Sequence, residues 1–407
     1  MGRLNIAVAG CGPAGLAAAL LLHRDGHRVA LFERFDEPRP LGSGLMVQPT
    51  GLAVLDALGL GEATRAAGAR VDRLLGQAAD SGRTALDVRY SALGAHAGPA
   101  FGVHRATLFA VLHDAVRRAG PDLETGRTVM TCEAAGSGAA LVFEGGRRAG
   151  PFDLVVDALG SNSPLAARSA GSLPYGAFWA NLDWPSGAGF DEHALQQKYR
   201  AASVMAGVLP IGVPPGCANR QAAFFWSLRV DRPAEWRAEG LERWKSQALQ
   251  LWPELEPLLG QIETPEQFTF ARYAHQTLRR PVGPALVHVG DSWHSASPQL
   301  GQGANMALLD AYALALALRR APDTSAALRV YVGLRGRHVW LYQAISALFT
   351  PVYQSESRAL PWIRDRIVGP LARTWPSDVI QAAMVSGLIG APLKRLDLEP
   401  CARPVGD

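Results

Sequence analysis

Short apolar runs alternate with helix-forming stretches at the start of the chain. Leu4–Ala9 is the uninterrupted apolar run that a buried parallel strand needs, and Ala14–Leu22 is rich in strong helix formers. Gly26 bounds this helix, and Arg28–Phe32 then predicts a second strand. The order of strand, glycine turn, helix and strand predicts the opening unit of a parallel α/β sheet.

The pattern becomes more varied up to residue 157. Proline and glycine predict a loop over residues 36–44, and residues 71–90 are short, glycine-interrupted segments typical of strands in a different sheet. Four further elements are predicted: a helix over Pro49–Leu58, an amphipathic helix over Gly102–Gly120, a hairpin over Leu141–Phe152 that turns at Gly145 and Gly146, and a buried strand over Asp153–Asp157.

Aromatic strands broken by proline and glycine loops dominate from Pro174 to Phe270, together with a helix around Arg237–Leu251. The buried-strand pattern returns in the sequence PALVHVGD, which ends at Asp291. A long helix follows over Gly303–Leu318, and the chain after Ala327 is helical with several prolines.

These elements predict a mixed α/β fold in which a Rossmann-like nucleotide-binding domain is interrupted by an inserted β-sheet domain. We expect the nucleotide-binding domain to comprise residues 1–70, 98–172 and 273–325, and the sheet domain to comprise residues 71–97 and 173–272. Residues 326–407 form a C-terminal helical segment. Ligand pockets tend to form between domains, so the site is expected at this interface.

Composition excludes several classes of protein. The 407 residues are 48% hydrophobic and 19% charged, which are globular values. Only three of the 40 basic residues are lysines, the net charge is +4, and no basic block suggests a nucleic-acid surface. No apolar stretch reaches the roughly 18 residues of a membrane span.

Four cysteines are scattered through the chain without CxxC pairs or histidine partners at metal-ligand spacing, so we expect reduced thiols and no metal site. The chain begins a strand within four residues and shows no secretory signal. A cytoplasmic location is therefore expected.

The first glycine turn carries the chemistry of a dinucleotide site. Gly10 permits a tight turn, Gly12 lets the backbone approach a pyrophosphate, and Gly15 allows close packing of helix and strand. The helix N-terminus favours negative charge. Glu33 stands 18 positions after Gly15, close to the ~20 expected of the acid that binds ribose hydroxyls. This unit alone does not distinguish NAD from FAD, and a turn without a ligand is the alternative.

A second signature runs from Ala285 to Asp310, in ALVHVGDSWHSASPQLGQGANMALLD. Asp291 ends the predicted strand, where its carboxylate can accept hydrogen bonds from ribityl or ribose hydroxyls. A loop with Pro298, Gly301 and Gly303 then leads into a helix. Bare N–H groups and a helix dipole at this turn would stabilise negative charge on a ring that is being reduced, which favours a flavin over a nicotinamide.

With these motifs in order, the chain resembles the FAD-dependent aromatic hydroxylases, the single-component flavoprotein monooxygenases related to p-hydroxybenzoate and ubiquinone-pathway hydroxylases. The resemblance rests on GCGPAGLAAALLL…VALFER, GVHRATLFAVL and GDSWHSASPQLGQGANMALLDA, and covers nearly the whole chain. It implies FAD as the cofactor. The expected cofactor-binding residues are Gly10, Gly12, Ala14, Gly15, Glu33 and Arg34 around the ADP half, Arg105 and Asp291 further along the cofactor, and Pro298, Gly301, Gly303, Ala304 and Asn305 near the flavin ring.

Two departures from the family pattern concern the reductant and the substrate. Relatives usually show a GADGxxSxVR-like stretch, whereas this chain reads DALGSNSPLAA, with Leu159 in place of the aspartate and Ala166 in place of the arginine. Losing a carboxylate and a guanidinium removes groups suited to a polar dinucleotide, so direct reduction by NAD(P)H stays open. The predicted loop at 41–48 also lacks an arginine beside the flavin, which disfavours an acidic substrate.

The resemblance implies a monooxygenase that inserts one oxygen atom from O2 into an aromatic or other apolar small molecule through a flavin hydroperoxide. The flavin carries this chemistry, so no catalytic side chain is assigned. The expected substrate pocket combines apolar and aromatic residues with one histidine, although each aromatic could instead belong to the core and the histidine is interpreted as structural: Met46, Gln48, Tyr175, Phe178, Trp179, Phe225, Trp226 and His294.

Other interpretations stay open. A separate reductase could supply the electrons, and a related reductase or halogenase is possible, although no WxWxIP segment supports halogenation. A non-catalytic FAD-binding protein is the alternative from another class. The C-terminal stretch HVWLYQAISALFTPVYQSESRALPWIRD resembles that of hydroxylases acting on hydrophobic substrates. We interpret it as a core-covering helix or a homodimer interface, while its amphipathic character also allows contact with a membrane or a partner.

Overall fold

The computed structural model describes residues 2–37, 42–167 and 171–400. Part of the predicted loop at 36–44 therefore lies outside the described residues, as does Cys401. Cys11, Cys132 and Cys217 are free thiols.

Strands and helices are numbered separately in chain order. The strands are β1 (Asn5–Ala9), β2 (Arg28–Phe32), β3 (Gly44–Val47), β4 (Ala69–Val71), β5 (Arg73–Ala78), β6 (Thr84–Arg89), β7 (Ala100–His104), β8 (Asp122–Glu124), β9 (Val129–Ala135), β10 (Gly138–Phe143), β11 (Arg148–Phe152), β12 (Leu154–Asp157), β13 (Gly171–Ser172), β14 (Tyr175–Asp183), β15 (Ala194–Arg200), β16 (Val204–Pro210), β17 (Gln221–Arg229), β18 (Thr269–Ala271), β19 (Ala274–Thr277), β20 (Leu286–His288) and β21 (His294–Ser295). The helices are α1 (Pro13–Arg24), α2 (Pro49–Ala57), α3 (Gly61–Ala67), α4 (Arg105–Ala119), α5 (Pro233–Glu239), α6 (Leu241–Leu251), α7 (Glu256–Leu259), α8 (Gly303–Arg320), α9 (Thr324–Tyr353), α10 (Ala359–Ile363), α11 (Gly369–Leu371), α12 (Ser377–Val385) and α13 (Pro392–Arg395).

A five-stranded parallel sheet in the order β20-β12-β1-β2-β8 lies at the centre of the nucleotide-binding part. Ile6 and Val8 face the apolar cluster formed with α1, α4 and α8, whereas Ala7 and Ala9 face the antiparallel sheet β9–β11. Both faces are covered, which explains why the strands are continuous apolar runs rather than alternating ones. The predicted opening unit is confirmed.

The inserted sheet has seven strands in the order β18-β14-β17-β16-β15-β5-β6. Strands β5 and β6 join it through parallel pairing of β5 with β15. One face packs under α5, α6 and α7, and the other packs towards β3, β4 and the C-terminal helices. The hairpin predicted over Leu141–Phe152 is confirmed as β10 and β11.

Three predicted elements are corrected by the structure. Gly102–Gly120 is not one helix, because residues 100–104 form β7 and α4 begins at Arg105. The predicted loop at 41–48 contains β3, which pairs with β7. A Cβ atom on Gly102 would lie 2.0 Å from the Pro210 carbonyl oxygen, so the glycine serves a close crossing of strands rather than a helix.

The third correction concerns the helix predicted at Arg237–Leu251, which is interrupted. Gly240 has a φ angle of +87° and separates α5 from α6. After the sheet domain, α8 and the 30-residue α9 return to the nucleotide-binding part and cover its core. Within the described residues, no helix has the length and apolar character needed to cross a bilayer.

Candidate cofactor and substrate site

The first glycine turn connects β1 to α1. Gly10 has a φ angle of +104°, and a Cβ there would lie 2.6 Å from the Ala158 carbonyl oxygen. A Cβ on Gly15 would lie 1.9 Å from the Gly10 oxygen, so neither position accepts a side chain. A Cβ on Gly12 would meet nothing within 4 Å, so the start of α1 faces open space. This is the geometry that a phosphate group requires.

Glu33 closes the turn from the end of β2. Its carboxylate accepts hydrogen bonds from the backbone N–H of Cys11 at 2.9 Å and of Phe35 at 3.2 Å. Burial, reinforced by the Glu33 charge, raises the pKa of the Cys11 thiol well above its ordinary value, so this buried thiol stays protonated. Arg34 is exposed and its guanidinium lies 4.6 Å from the Phe35 ring centroid.

The second glycine turn precedes α8. Gly301 has a φ angle of +60° after the short turn Pro298–Leu300, and a Cβ on Gly303 would meet nothing within 4 Å. Asn305 is fully buried, and its amide donates to the Gly301 oxygen at 2.9 Å and to the Met46 oxygen at 3.0 Å. Its side-chain oxygen accepts from the Gln48 N–H at 2.8 Å. Asn305 therefore supports the turn from beneath, while Ala304 is half-buried beside it.

Gln48 and Met46 lie under this second turn. Gln48 is completely buried and accepts a hydrogen bond from the Tyr90 hydroxyl at 2.6 Å. Burial raises the pKa of Tyr90 well above its usual range. Tyr90 was not anticipated from the sequence, because its partner stands 42 positions away and no local spacing connects the two.

Asp291 follows β20 and remains exposed to solvent although protein atoms surround it. Desolvation by these atoms raises the pKa of the Asp291 carboxyl, while the charges of His294 and Arg105 act in the opposite direction. Burial raises the pKa of Tyr273 to about 12, and the nearby Arg105 charge opposes part of this rise. Arg105 therefore lies close enough to influence both the end of β20 and Tyr273, which follows strand β18 of the inserted sheet.

A buried polar cluster holds the end of β20 in place. Asp310 on α8 is fully buried and accepts from the Gly290 N–H at 2.9 Å, from His294 Nε2 at 2.6 Å and from Arg335 Nε at 2.7 Å. Burial alone would raise the pKa of Asp310, but His294 and Arg335 outweigh it and the pKa is lowered. His294 thus binds Asp310 through Nε2, which is a structural contact, and its place in the substrate pocket stays a prediction.

The same cluster continues through α9 to the C-terminal segment. Arg335 donates to His338 Nδ1 at 2.8 Å, and His338 Nε2 donates to the Gly387 oxygen at 3.0 Å. Burial and the neighbouring guanidinium lower the pKa of His338 to about 3, so the imidazole is neutral. One feature of the sequence could have indicated this buried polar cluster: Arg335 and His338 lie on the otherwise apolar buried stripe of α9.

The inserted sheet separates the predicted pocket aromatics onto two faces. Trp179 pairs with Phe225 and Phe178 pairs with Trp226 in the register of β14 and β17. Trp179 and Phe225 lie 4.8 Å apart on the face that includes Met46. Phe178 and Trp226 pack against the helices on the other face, for example Phe178 with Trp236 at 4.3 Å. Phe178 and Trp226 therefore belong to the core, and their assignment to the pocket is wrong.

Tyr175 is also displaced from the expected pocket. It stands four residues before Trp179 on the same strand, roughly 13 Å away along β14. Burial and the nearby Glu356 carboxylate raise the pKa of Tyr175, which places it towards the C-terminal segment. Trp179 instead donates a hydrogen bond to the Tyr273 hydroxyl at 2.9 Å, so Tyr273 replaces Tyr175 beside the inner face.

These features fit FAD. Helices α1 and α8 pack in the same core, and the glycine at the start of each helix, Gly12 or Gly303, faces open space. The solvent-accessible carboxylate of Asp291 stands after the neighbouring strand β20. The Ser292 hydroxyl donates a hydrogen bond to the backbone carbonyl oxygen of Asp157 at 2.6 Å. Ser292 is therefore a loop contact and forms no nucleophilic triad with His294. Among the described residues, no group of three or more His, Cys, Asp or Glu side chains could hold a metal ion.

Comparison with known proteins decides the family. The model of the FAD binding domain family matches residues 3–340. The chain belongs to the FAD-dependent aromatic hydroxylases. It is 26% identical over 336 residues to the FAD-dependent urate hydroxylase of Klebsiella pneumoniae, covering 81% of this chain and 85% of that protein. It is 27% identical to the 3-amino-4-hydroxybenzoate 2-monooxygenase of Streptomyces cremeus, covering 82% and 83%.

The fold agrees with a solved flavoprotein structure. A Klebsiella pneumoniae protein crystallised with FAD and uric acid superposes with a TM-score of 0.78 at 20% identity, covering 96% of this chain and 98% of that one. The prediction of an FAD-dependent monooxygenase is confirmed at the level of the family.

Within this aromatic hydroxylase, the departure at residues 157–167 has a structural counterpart. Leu159 is half-buried and packs against the cluster that contains Phe32. Asp157, two residues earlier, is fully buried and accepts from the Leu159 N–H at 3.0 Å, Ser163 Oγ at 2.6 Å and His288 Nδ1 at 2.7 Å. The carboxylate of this loop is therefore used internally rather than presented to a ligand.

Substituting the two glycines of the first turn should separate binding from folding. Gly12→Val places a side chain in open space, so the apoprotein should keep its free energy of unfolding within about 1 kcal/mol while FAD affinity falls at least about tenfold. Gly15→Val forces a side chain against backbone and should cost about 3 kcal/mol or more. Urea unfolding of the apoprotein and fluorescence titration with FAD measure both effects. Equal FAD affinity in Gly12→Val and wild type would contradict the assignment.

The neutral His338 predicts a pH dependence. Its pKa is about 3 in the folded protein, below the unfolded value near 6.5, so stability rises with pH between these values. Lowering the pH from 7 to 5 should cost about 2 kcal/mol through this group. His338→Gln should remove that loss in urea unfolding of the apoprotein, while the exposed control His193→Gln should retain it. An unchanged loss in His338→Gln would show that the histidine is charged when folded.

Proposed function

We propose that this protein hydroxylates a neutral, flat aromatic or heteroaromatic molecule bound between the second glycine turn and the inner face of the inserted sheet. The observation that carries this proposal is the aromatic inner face, where Trp179 and Phe225 share a cluster with Met46, the residue whose carbonyl is bonded to Asn305. Sheet aromatics and the turn before α8 are thereby joined by direct contacts. Relatives named for urate and for an aminohydroxybenzoate act on flat rings, which supports a flat aromatic substrate. Both of those compounds are anions at neutral pH, so the uncharged character proposed here rests on the residues of this chain alone.

FAD, when bound and reduced by an external donor, would pass electrons to dioxygen and so activate it. The protein positions it: Gly10, Gly12 and Glu33 would hold the ADP half, and Asp291 would accept hydrogen bonds from the ribityl chain. Backbone N–H groups at the start of α8 would stabilise negative charge that develops on the ring. No side chain needs to act as a nucleophile.

The inner face would bind the substrate mainly through ring contacts. Trp179 offers a ring held in position by its hydrogen bond to Tyr273. Asn181 lies two residues further on the same face, with its side-chain nitrogen 3.0 Å from His104 Nε2. Its side-chain oxygen accepts a hydrogen bond from the Ser43 hydroxyl. The polar atoms at this border of the face are therefore already paired. Such a surface favours an uncharged ring and excludes water, which otherwise diverts oxygen to hydrogen peroxide.

We further propose that electrons come from a separate reductase rather than from NAD(P)H bound to this chain. Leu159 and Ala166 offer no charge at the two positions where relatives have an aspartate and an arginine, and both carboxylate oxygens of Asp157 already accept internal hydrogen bonds. A halogenase is less well supported, since no WxWxIP segment occurs and neither glycine turn carries a lysine. Cytoplasmic location and homodimer formation stay predictions.

Oxygen incorporation tests the proposed function. Reduced FAD-loaded protein, mixed with 18O2 and a panel of phenols and heteroaromatics, should yield a product that carries one 18O atom, with less hydrogen peroxide than in the absence of substrate. A colourless protein that takes up no FAD, or one that releases only peroxide with every compound, would contradict the proposal.

Trp179 and Phe178 are neighbours on β14 with side chains on opposite faces of the sheet, so substitutions at these two positions form a matched test of the substrate face. Trp179→Leu should lower kcat/KM for the substrate at least about tenfold, because it removes a ring from the inner face. Phe178→Leu changes the opposite face and should instead lower the free energy of unfolding by about 1–3 kcal/mol with little effect on KM. If Phe178→Leu weakened substrate binding more than Trp179→Leu, the substrate would lie elsewhere.

Anaerobic stopped-flow measurements test the reductant. Neither NADH nor NADPH should bleach the flavin absorption on the timescale of turnover, with or without substrate, whereas a flavin reductase should support product formation. Leu159→Asp combined with Ala166→Arg should accelerate reduction by at least one nicotinamide by about tenfold, since it restores the charged pair. Rapid bleaching of the wild type by NADH or NADPH would overturn the proposed reductase.

A further inference from the structure

Helical turns over residues 359–371 and the non-helical turn at residues 372–376 direct a row of apolar side chains away from the protein. Large apolar side chains recur at every fourth position and are exposed, with fractional exposures of 42% for Ile363, 48% for Ile367, 51% for Leu371 and 82% for Trp375. Trp362, also exposed, stands next to the first of them. We call these five residues the outer stripe. Large apolar side chains on a protein surface are normally turned towards the core, so the exposure of these five residues requires a reason.

The inward side of the same segment explains why the stripe cannot turn inward. Arg364 is buried, and its guanidinium donates to Asp365 at 2.6 Å, to the Ala201 oxygen at 3.1 Å and to the Val352 oxygen at 3.2 Å. A Cβ on Gly369 would lie 1.9 Å from the Thr84 oxygen. Rotating the segment would leave a charge without its partners and break this close contact, so the outward orientation is built into the fold.

A positively charged groove of about 490 Å³ runs beside the outer stripe. Its walls include Arg83, Arg366 and Arg373, which we call the groove arginines. Arg373 is paired with Asp87, but no carboxylate in the described part of the chain forms an ion pair with Arg83 or Arg366. Arg366 lies 5.6 Å from the ring centroid of Trp362. Cations and tryptophan are therefore combined on one surface.

Asp365, the acidic residue of the groove, does not neutralise the groove arginines, because its carboxylate already forms a bidentate ion pair with Arg364. Asp87 is likewise surrounded by Arg73, Arg89 and Arg373. In a two-fold dimer built on this surface, the groove arginines of one copy would face those of the other and repel them. An anionic partner fits this surface better.

We propose that the outer stripe and the groove arginines dock the protein on the surface of an anionic phospholipid bilayer. Trp362 and Trp375 would lie at the level of the headgroups, where tryptophan is favoured, and Ile367 and Leu371 would enter the acyl boundary between them. Arg83 and Arg366 would bind lipid phosphates. This docking is peripheral, and it does not depend on the proposed hydroxylation.

Vesicle binding tests the proposal with FAD-loaded full-length protein. Vesicles of phosphatidylcholine with phosphatidylglycerol should co-sediment the protein and shift its tryptophan emission to the blue, and phosphatidylcholine alone should bind it much more weakly. Arg83→Gln with Arg366→Gln should weaken binding about fivefold per arginine at low salt. Leu371→Ser with Trp375→Ser should weaken it at least about tenfold. The control Arg220→Gln with Arg243→Gln removes two exposed arginines of the sheet domain and should change binding by less than twofold.

Each outcome is decisive because FAD content and circular dichroism report whether the variants are folded, and no activity measurement is needed. Inorganic phosphate at matched ionic strength should not displace the protein from vesicles; displacement would point to a free-phosphate site. Absence of wild-type binding to anionic vesicles, or equal loss in the control variant, would overturn the proposal. A dimer in sedimentation equilibrium that Trp375→Ser dissociates would assign the stripe to a second copy instead.

Discussion

Helices α1 and α8 lie far apart in the sequence, yet both must begin with exposed backbone N–H groups above one parallel sheet. Gly12 and Gly303 leave the first turns of the two helices open, and both helices pack in the same core. A helix N-terminus attracts negative charge, so this convergence suits a cofactor that carries a pyrophosphate at one end and a reducible ring at the other. The glycine conformations, the buried asparagine and the position of the inserted sheet all serve this one arrangement.

Two buried carboxylates keep the loops around the cleft in place. Asp310 binds the Gly290 N–H together with His294 and Arg335, and Asp157 binds a backbone N–H, a serine and His288. A buried carboxylate without such donors would cost several kcal/mol, so each network fixes its loop in one conformation. These residues position the cofactor site without touching the reacting atoms, and they explain why α9 and the C-terminal segment belong structurally to the nucleotide-binding part.

Local patterns were sufficient for the opening unit, because strand, turn and helix each leave a signal within a few residues. The same patterns failed at residues 102–104, where a strand leads directly into α4 and both read as one continuous amphipathic stretch. Alternation along β14 separates Phe178 from Trp179, but the sequence does not reveal which face the later helices α5 and α6 will cover. Long-range pairs such as Gln48 with Tyr90 leave no local signal at all.

The most direct test of the central claim is a crystal structure of the FAD-loaded protein. We expect electron density for the pyrophosphate at the start of α1, with the isoalloxazine ring against residues 301–305 and its open side towards Trp179. Density showing the cofactor elsewhere, or side chains filling the space in front of Gly12 and Gly303, would contradict it.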